Sequence, residues 1–189
     1  MSEGTEPGDL TLLLKAHRGG DPAAFDALVA RIHGELRALA RRQLRGAPAL
    51  RTLDSVALVN EAYLRLVQGA PVDFQDRHHF FGIASRVMRL VVVDAIRARL
   101  AQKRGAGVAW TTLDVEHLAG GVETELVLAV GRAVEKLELF NERLARVVEC
   151  RFFGGMKEEE IAAALGVSPR SVQRDWSRAR AWLQRELSS

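Results

Sequence analysis

The chain has 189 residues, 48% hydrophobic and 27% charged, with a formal net charge of +3. That excludes wholesale disorder and allows one domain or two small ones. Its single cysteine, Cys150, excludes an internal disulfide framework and a cysteine-rich zinc site, which fits a reducing cytoplasm. The polar, acidic start MSEGTEPGDL is unlike a signal peptide, and the apolar run Leu90–Val93 is far too short to span a bilayer. Charge is unevenly spread. Residues 1–107 hold 16 Lys and Arg against 11 Asp and Glu, residues 108–140 hold 2 against 6, and residues 141–189 hold 9 against 7. Two basic blocks thus flank an acidic connector, the pattern of two polyanion-binding units joined by a segment that is not one.

The predicted elements are helical throughout. Asp9 caps a short helix to about Arg18, and Gly19-Gly20 stops it. Asp21-Pro22 opens the next, with Phe25, Leu28, Ile32, Leu36 and Leu39 spaced as one stripe until GAP at 46–48. A third helix covers 55–68 with Ser55 as its cap, and GAPVDFQD at 69–76 is a loop. A long helix then runs from about His78 to Lys103. Its Leu90-Val91-Val92-Val93 stretch is β-branched, but Phe80, Ile83, Val87, Leu90 and Val91 keep helical spacing. From Gly105 to Gly121 the periodicity collapses, which predicts a connector. Helices resume at roughly 123–138, 141–153, 157–165 and 169–187.

The last two form a helix-turn-helix layout, with Ile161, Ala162 and Leu165 facing inward and Gly166 in the turn. Ser168-Pro169 starts the second helix. On it Val172, Trp176, Ala179, Leu183 and Leu187 span an arc of about 80°, and Arg170, Arg174, Arg178 and Arg185 span another on the opposite side. Such a helix can pack on one side and present arginines to phosphates or guanine edges in a major groove. A solvated face would mix in more Glu and Lys; Asp175 and Glu186 lie off the arginine arc. Trp182 sits on neither stripe.

On the long helix Arg86, Arg97 and Arg104 fall within about 20° of one another, interrupted by Val93. FQDRHHFF, with Phe74, His78, His79, Phe80 and Phe81, precedes that row at a loop-to-helix junction. Rings beside basic residues suit single-stranded nucleic acid, although each Phe is as well read as core. His78-His79 lacks the partners of a metal site.

Three stretches together resemble the bacterial RNA polymerase sigma factors of the sigma-70 family, extracytoplasmic-function (ECF) type. They are GDPAAFDALVARIHGELRALARRQL; ALVNEAYLRLVQ followed by HFFGIASRVMRLVVVDAIRARLAQKRG; and VVECRFFGGMKEEEIAAALGVSPRSVQRDWSRARAWLQREL. The resemblance implies an all-α fold of two small helical domains. These are a region 2-like domain at 9–107 and a region 4-like helix-turn-helix at 125–187, joined by a flexible linker at 108–124. It implies that Asn60, Glu61 and Arg65 dock on the β′ clamp helices of core polymerase. Where the family usually carries an acidic residue, Gln and an acidic residue, this chain has Ala57, Asn60 and Glu61.

The minus-10 element would be held by Phe74, His79, Arg86, Arg89, Arg97 and Arg104. The minus-35 element would be read by Arg170, Ser171, Gln173, Arg174, Ser177 and Arg178. The implied partners are RNA polymerase core, promoter DNA and an anti-sigma protein, with no membrane and no cofactor. No Gly-Lys-Ser/Thr phosphate loop and no nucleophile–base pair argues for an enzyme. Two other readings stand beside this one. One is a dimeric helix-turn-helix regulator that acts without polymerase. The other is a helical enzyme using His78, His79 or Asp94, for which no convergent constellation exists.

Overall fold

In the computed structural model the described residues are 10, 12–13, 16–17, 19–45, 53–69, 72–105 and 115–188, with backbone alone at 22, 102–105 and 115–124. Every regular element among them is helical: α1 (Pro22–Arg45), α2 (Ser55–Gln68), α3 (Arg77–Gly105), α4 (Val115–Phe140), α5 (Glu142–Val148), α6 (Glu158–Leu165) and α7 (Pro169–Leu187). Helix α5 runs on into a π-helical turn, Glu149–Phe153. Leu10, Leu12, Leu13, Ala16 and His17 are also helical, as expected for the first short helix; its cap Asp9 and its end Arg18 lie outside the described residues. No described helix is long and apolar enough to cross a membrane.

Helices α1, α2 and α3 pack around Phe25, Leu28, Ile32, Leu58, Phe80, Met88 and Ile96. The stripe expected on α1 is buried throughout; of the one expected on α3, Phe80 and Val91 are buried, whereas Ile83, Val87 and Leu90 are only partly so. Leu90–Val93 is helical, and Val91, Val92 and Val93 are all buried. Burial on the side of α3 that meets α4, as well as against α1 and α2, explains why that stretch looks strand-like: three successive valines are buried, and only Leu90 is partly exposed. Two expectations shift. The cap of α2 is Asp54, whose carboxylate accepts from Val56 N and Ala57 N at 2.8 Å, and Ser55 is the first helical residue. Part of the expected connector is helix, because α4 begins at Val115 and continues through Gly120 and Gly121. Residues 106–114 lie outside the described ones.

The second half packs α4, α5 and α7 around Val134, Leu137, Leu144, Val148 and Ala179, and sets α6 against α7 through Ile161 and Val172. On α7 the expected stripe holds for Val172 and Ala179, both buried, but Leu187 is exposed. Asp175 is buried where a charge was not expected, held by Arg143 Nε at 2.8 Å. Trp182 packs with this core, its ring stacked on Phe140 at 6.4 Å.

The two halves touch. Helix α4 bridges them, because Leu128 belongs to the first core whereas Val134 and Leu137 belong to the second. Helix α3 packs on α4, on the π turn and on α6. Two glycines bring the backbones close: a Cβ at Gly131 would meet Val93 Cγ2 at 2.9 Å, and one at Gly82 would stand 3.2 Å from Cys150 Sγ.

Candidate nucleic-acid interface

One basic surface lies on α7. Gly166 takes a left-handed φ of 63°, which ends α6 and turns the chain; Val167 N then donates to Ala162 O at 3.0 Å. Ser168 caps α7 by accepting from Ser171 N at 3.2 Å, with Pro169 behind it. With Val172 and Ala179 fixed in the core, Arg170, Arg174 and Arg178 all stand in solvent. Gln173 is exposed and donates to Glu158 Oε2 at 2.7 Å, and Ser177 Oγ donates to Gln173 O. Ser171 is half-buried, its hydroxyl 3.0 Å from that of Ser168. Hydrogen bonds from Gln173 and then Arg151 hold the Glu158 carboxyl below its ordinary pKa. Gln173 is therefore anchored, whereas the arginines project into solvent, with Arg174 Nε 4.0 Å from the Asp175 carboxylate.

The second surface, on α3, is not open. Arg86 pairs with Glu138 of α4 and lies 3.9 Å from Glu149 of the π turn. Arg89 is 1% exposed, with Nε at 3.2 Å and Nη2 at 2.7 Å from Glu149 Oε1. Arg97 Nη2 meets Glu135 at 3.1 Å and Arg97 Nη1 meets Asp94 at 3.8 Å. The side chain of Arg104 lies outside the described residues. Thus in this conformation Arg89 is buried and Arg86 is partly covered by the second half, whereas Arg97 is paired with Glu135 but remains exposed.

Phe74 is corrected outright. Its ring is buried in the first core, 5.9 Å from Phe25 and 5.1 Å from Phe80, and cannot stack on a base. Arg89 is corrected for this conformation, because its guanidinium is sealed against Glu149 and has no route to a phosphate. His79 is half-buried. Its Nδ1 accepts from Gln75 N at 3.1 Å, and burial lowers its pKa against the opposing pull of Asp76. That hydrogen bond ties His79 to the loop that leads into α3.

On α2, Asn60 and Glu61 are exposed beside Leu64 and Val67, also exposed. Arg65 reaches Glu61 at 3.5 Å and Asp94 of α3 at 2.9 Å. These residues share one outward face, with apolar side chains among the polar ones, suited to a protein partner. At the seam between the halves lies a cleft of ≈ 290 Å³ lined by Glu35, Arg42, Arg77, Ser85, Gly155 and Glu160 among others. Among the described residues no group of His, Cys, Asp and Glu could hold a metal ion.

Sequence reasoning missed the carboxylates of the seam. Glu149 looks like one more surface charge in VVECRFF, yet Val147, Val148, Glu149 and Cys150 are all buried. An α-helix on a surface cannot bury four successive residues on one side. The widened π turn and cover from α3 make it possible. The available signal was the acidic excess of 108–140 beside a basic helix.

A family described as ECF sigma factor matches residues 7–189. No curated protein matches the chain.

Proposed function

The chain belongs to the ECF sigma factors, transcription initiation factors that serve as RNA polymerase subunits and are not enzymes, and from that premise we propose how its residues divide the work. The observation that carries the reading is the exposed row Arg170, Arg174 and Arg178 on the capped second helix of a helix-turn-helix pair. That helix enters the major groove of the minus-35 element, where arginines meet phosphates and guanine edges. Ser171, Gln173 and Ser177 supply shorter polar contacts on the same helix. Helix α2 docks on the β′ clamp helices through Asn60, Glu61 and Arg65. Helix α3 holds the opened minus-10 strand through Arg86, Arg97 and Arg104, with Arg89 joining once uncovered and His79 shaping the approach. Phe74 serves the core of that domain.

Residues 9–107 and 125–187 act as two binding modules in this reading, with the segment between them as their tether. Each module binds weakly alone, and their joint attachment to polymerase raises the effective concentration of the second contact. Capture of unpaired bases, without nucleotide hydrolysis, drives opening. An anti-sigma protein that withholds the chain from polymerase completes the set of partners.

Run-off transcription with core polymerase tests this. The chain directs initiation from a subset of genomic promoter fragments. Arg174→Ala weakens upstream recognition by about 1–3 kcal/mol, and Arg86→Ala lowers permanganate reactivity of the opened thymines. Start-site choice and reactivity that stay unchanged in both variants refute the assignments. Tight binding to a palindromic duplex without polymerase supports the dimeric regulator instead.

A further inference from the structure

We infer that Glu158, the first residue of α6, is a positioning residue for Gln173. It holds the amide nitrogen and leaves the carbonyl as the free end. Helix α7 is thereby made to select a base that carries an amino group, adenine before cytosine, at the minus-35 position beneath Gln173. The inference rests on the reading of α7 as the minus-35 helix.

Chemistry fixes the orientation. The oxygen and nitrogen of a glutamine amide exchange places on a half-turn about its last bond. An ionised carboxylate only accepts, so the group 2.7 Å from Glu158 Oε2 is Nε2. Gln173 is exposed, and among the described residues no donor meets its Oε1. The second hydrogen of Nε2 stays beside Glu158, and a base uses it only together with Oε1. Adenine does so, with N6 donating to the carbonyl and N7 accepting. Cytosine offers N4 alone. Guanine and thymine turn acceptors toward a carbonyl that can give them nothing.

The anchor is itself held. Arg151 of the π turn donates from Nη1 to Glu158 Oε1 at 2.9 Å, and its guanidinium lies 4.9 Å from the centre of the Trp176 ring on α7. Each oxygen of Glu158 thus has a partner, and neither is left to read a base directly. Arg151 also offsets a carboxylate charge that would repel DNA phosphates. Trp176 packs against both apolar clusters of the second half, so the π turn, α6 and α7 form one frame around the bond.

The helix alone does not account for this contact. Of the three acidic residues that open α6, Glu160 accepts from Lys157 N at 2.7 Å and closes the cap, and Glu159 is exposed. A carboxylate in the first turn favours the helix dipole wherever it points. Glu158 instead reaches across to α7. A bond to an exposed amide adds little to stability; its consequence is which end of the amide faces outward.

The experiment uses the full-length chain with core polymerase and a promoter library randomised across the minus-35 element, read by sequencing the transcripts. At one position the native chain favours adenine over guanine and thymine by about fivefold or more. Gln173→Ala flattens that position and so identifies it. Glu158→Gln keeps the shape but both accepts and donates, so the Gln173 amide can turn over, and guanine and thymine are admitted at the same position alone. Adding Gln173→Ala to Glu158→Gln changes the preference no further. A Glu158→Gln chain that keeps the native preference while Gln173→Ala loses it overturns the positioning role and leaves the reading of α7 standing; an even fall in output over the whole library with preference kept does the same. A native preference for guanine or thymine at that position also overturns it. If neither Gln173→Ala nor Arg174→Ala alters any minus-35 position, the reading of α7 fails and the positioning role with it.

Discussion

Arg89 and Glu149 are each 1% exposed and lie on opposite halves of the chain. Removing both charges from water costs several kcal/mol per ion, and their attraction offsets this only with full hydrogen bonding. Both bonds go to one carboxylate oxygen, and Arg89 Nη1 has none. The pair thus fixes how the halves align more than it strengthens their union. Burial raises the Glu149 carboxyl above its usual pKa, against the pull of Arg89 and Arg86. Its neighbour Cys150 is pushed up to about 12 by burial first and by the Glu149 charge second. A thiol reacts as thiolate, so Cys150 is poorly reactive while the seam is closed. Alkylation by N-ethylmaleimide should therefore be slow in the native chain and faster in the Glu135→Arg, Glu138→Arg variant, where the side that faces Gly82 opens. Equal rates in the two proteins, measured by mass spectrometry over time, would show that the second half alone protects the thiol.

At the scale of the element, the sequence was most legible where local chemistry and packing agree. The ends of α7, the span of α3 and the turn at Gly166 follow from capping residues, helical spacing and glycine's access to positive φ. It was least legible where one neighbour overrides another. Asp54 and Ser55 are both good caps in sequence, and only the backbone decides: Asp54 is extended at φ −86°, ψ 174°, and accepts from two N–H groups. Asp54→Ala should then cost about 1 kcal/mol, whereas Ser55→Ala, inside the helix and with no capping bond, should be near neutral. Urea unfolding of the two variants reads the difference, and a larger loss at Ser55 would return the cap to it. Gly120 and Gly121 hid the start of α4 for a related reason. Each glycine costs a helix up to about 1 kcal/mol relative to Ala, so they read as breakers, yet the helix passes through both.

For the whole molecule, residue types told which surfaces are basic but not which of them is free. Arg86 and Arg174 look alike in sequence, an arginine on one side of an amphipathic helix. One is paired across the seam and the other stands 60% exposed. The difference is tertiary: α4 packs on both helices, but it sets Glu135 and Glu138 against the arginines of α3, whereas on α7 it covers the apolar stripe and leaves Arg174 outside. Gly131 permits that arrangement, because a Cβ there would stand 2.9 Å from Val93 Cγ2. Gly131→Leu keeps every charge, improves the local helix propensity of α4 and inserts a wedge between α4 and α3. A single globule of 189 residues has a radius of gyration of about 16 Å. The native chain should scatter near that value, and the wedge variant should be several ångströms larger at unchanged helix content by circular dichroism. If the variant stays as compact as the native chain while remaining folded, Gly131 does not control closure, and the seam is held by its arginine–carboxylate contacts alone. If it expands, the same protein should bind a random-sequence single-stranded oligonucleotide more tightly and with a steeper salt dependence, because Arg86, Arg89 and Arg97 exchange carboxylates for phosphates.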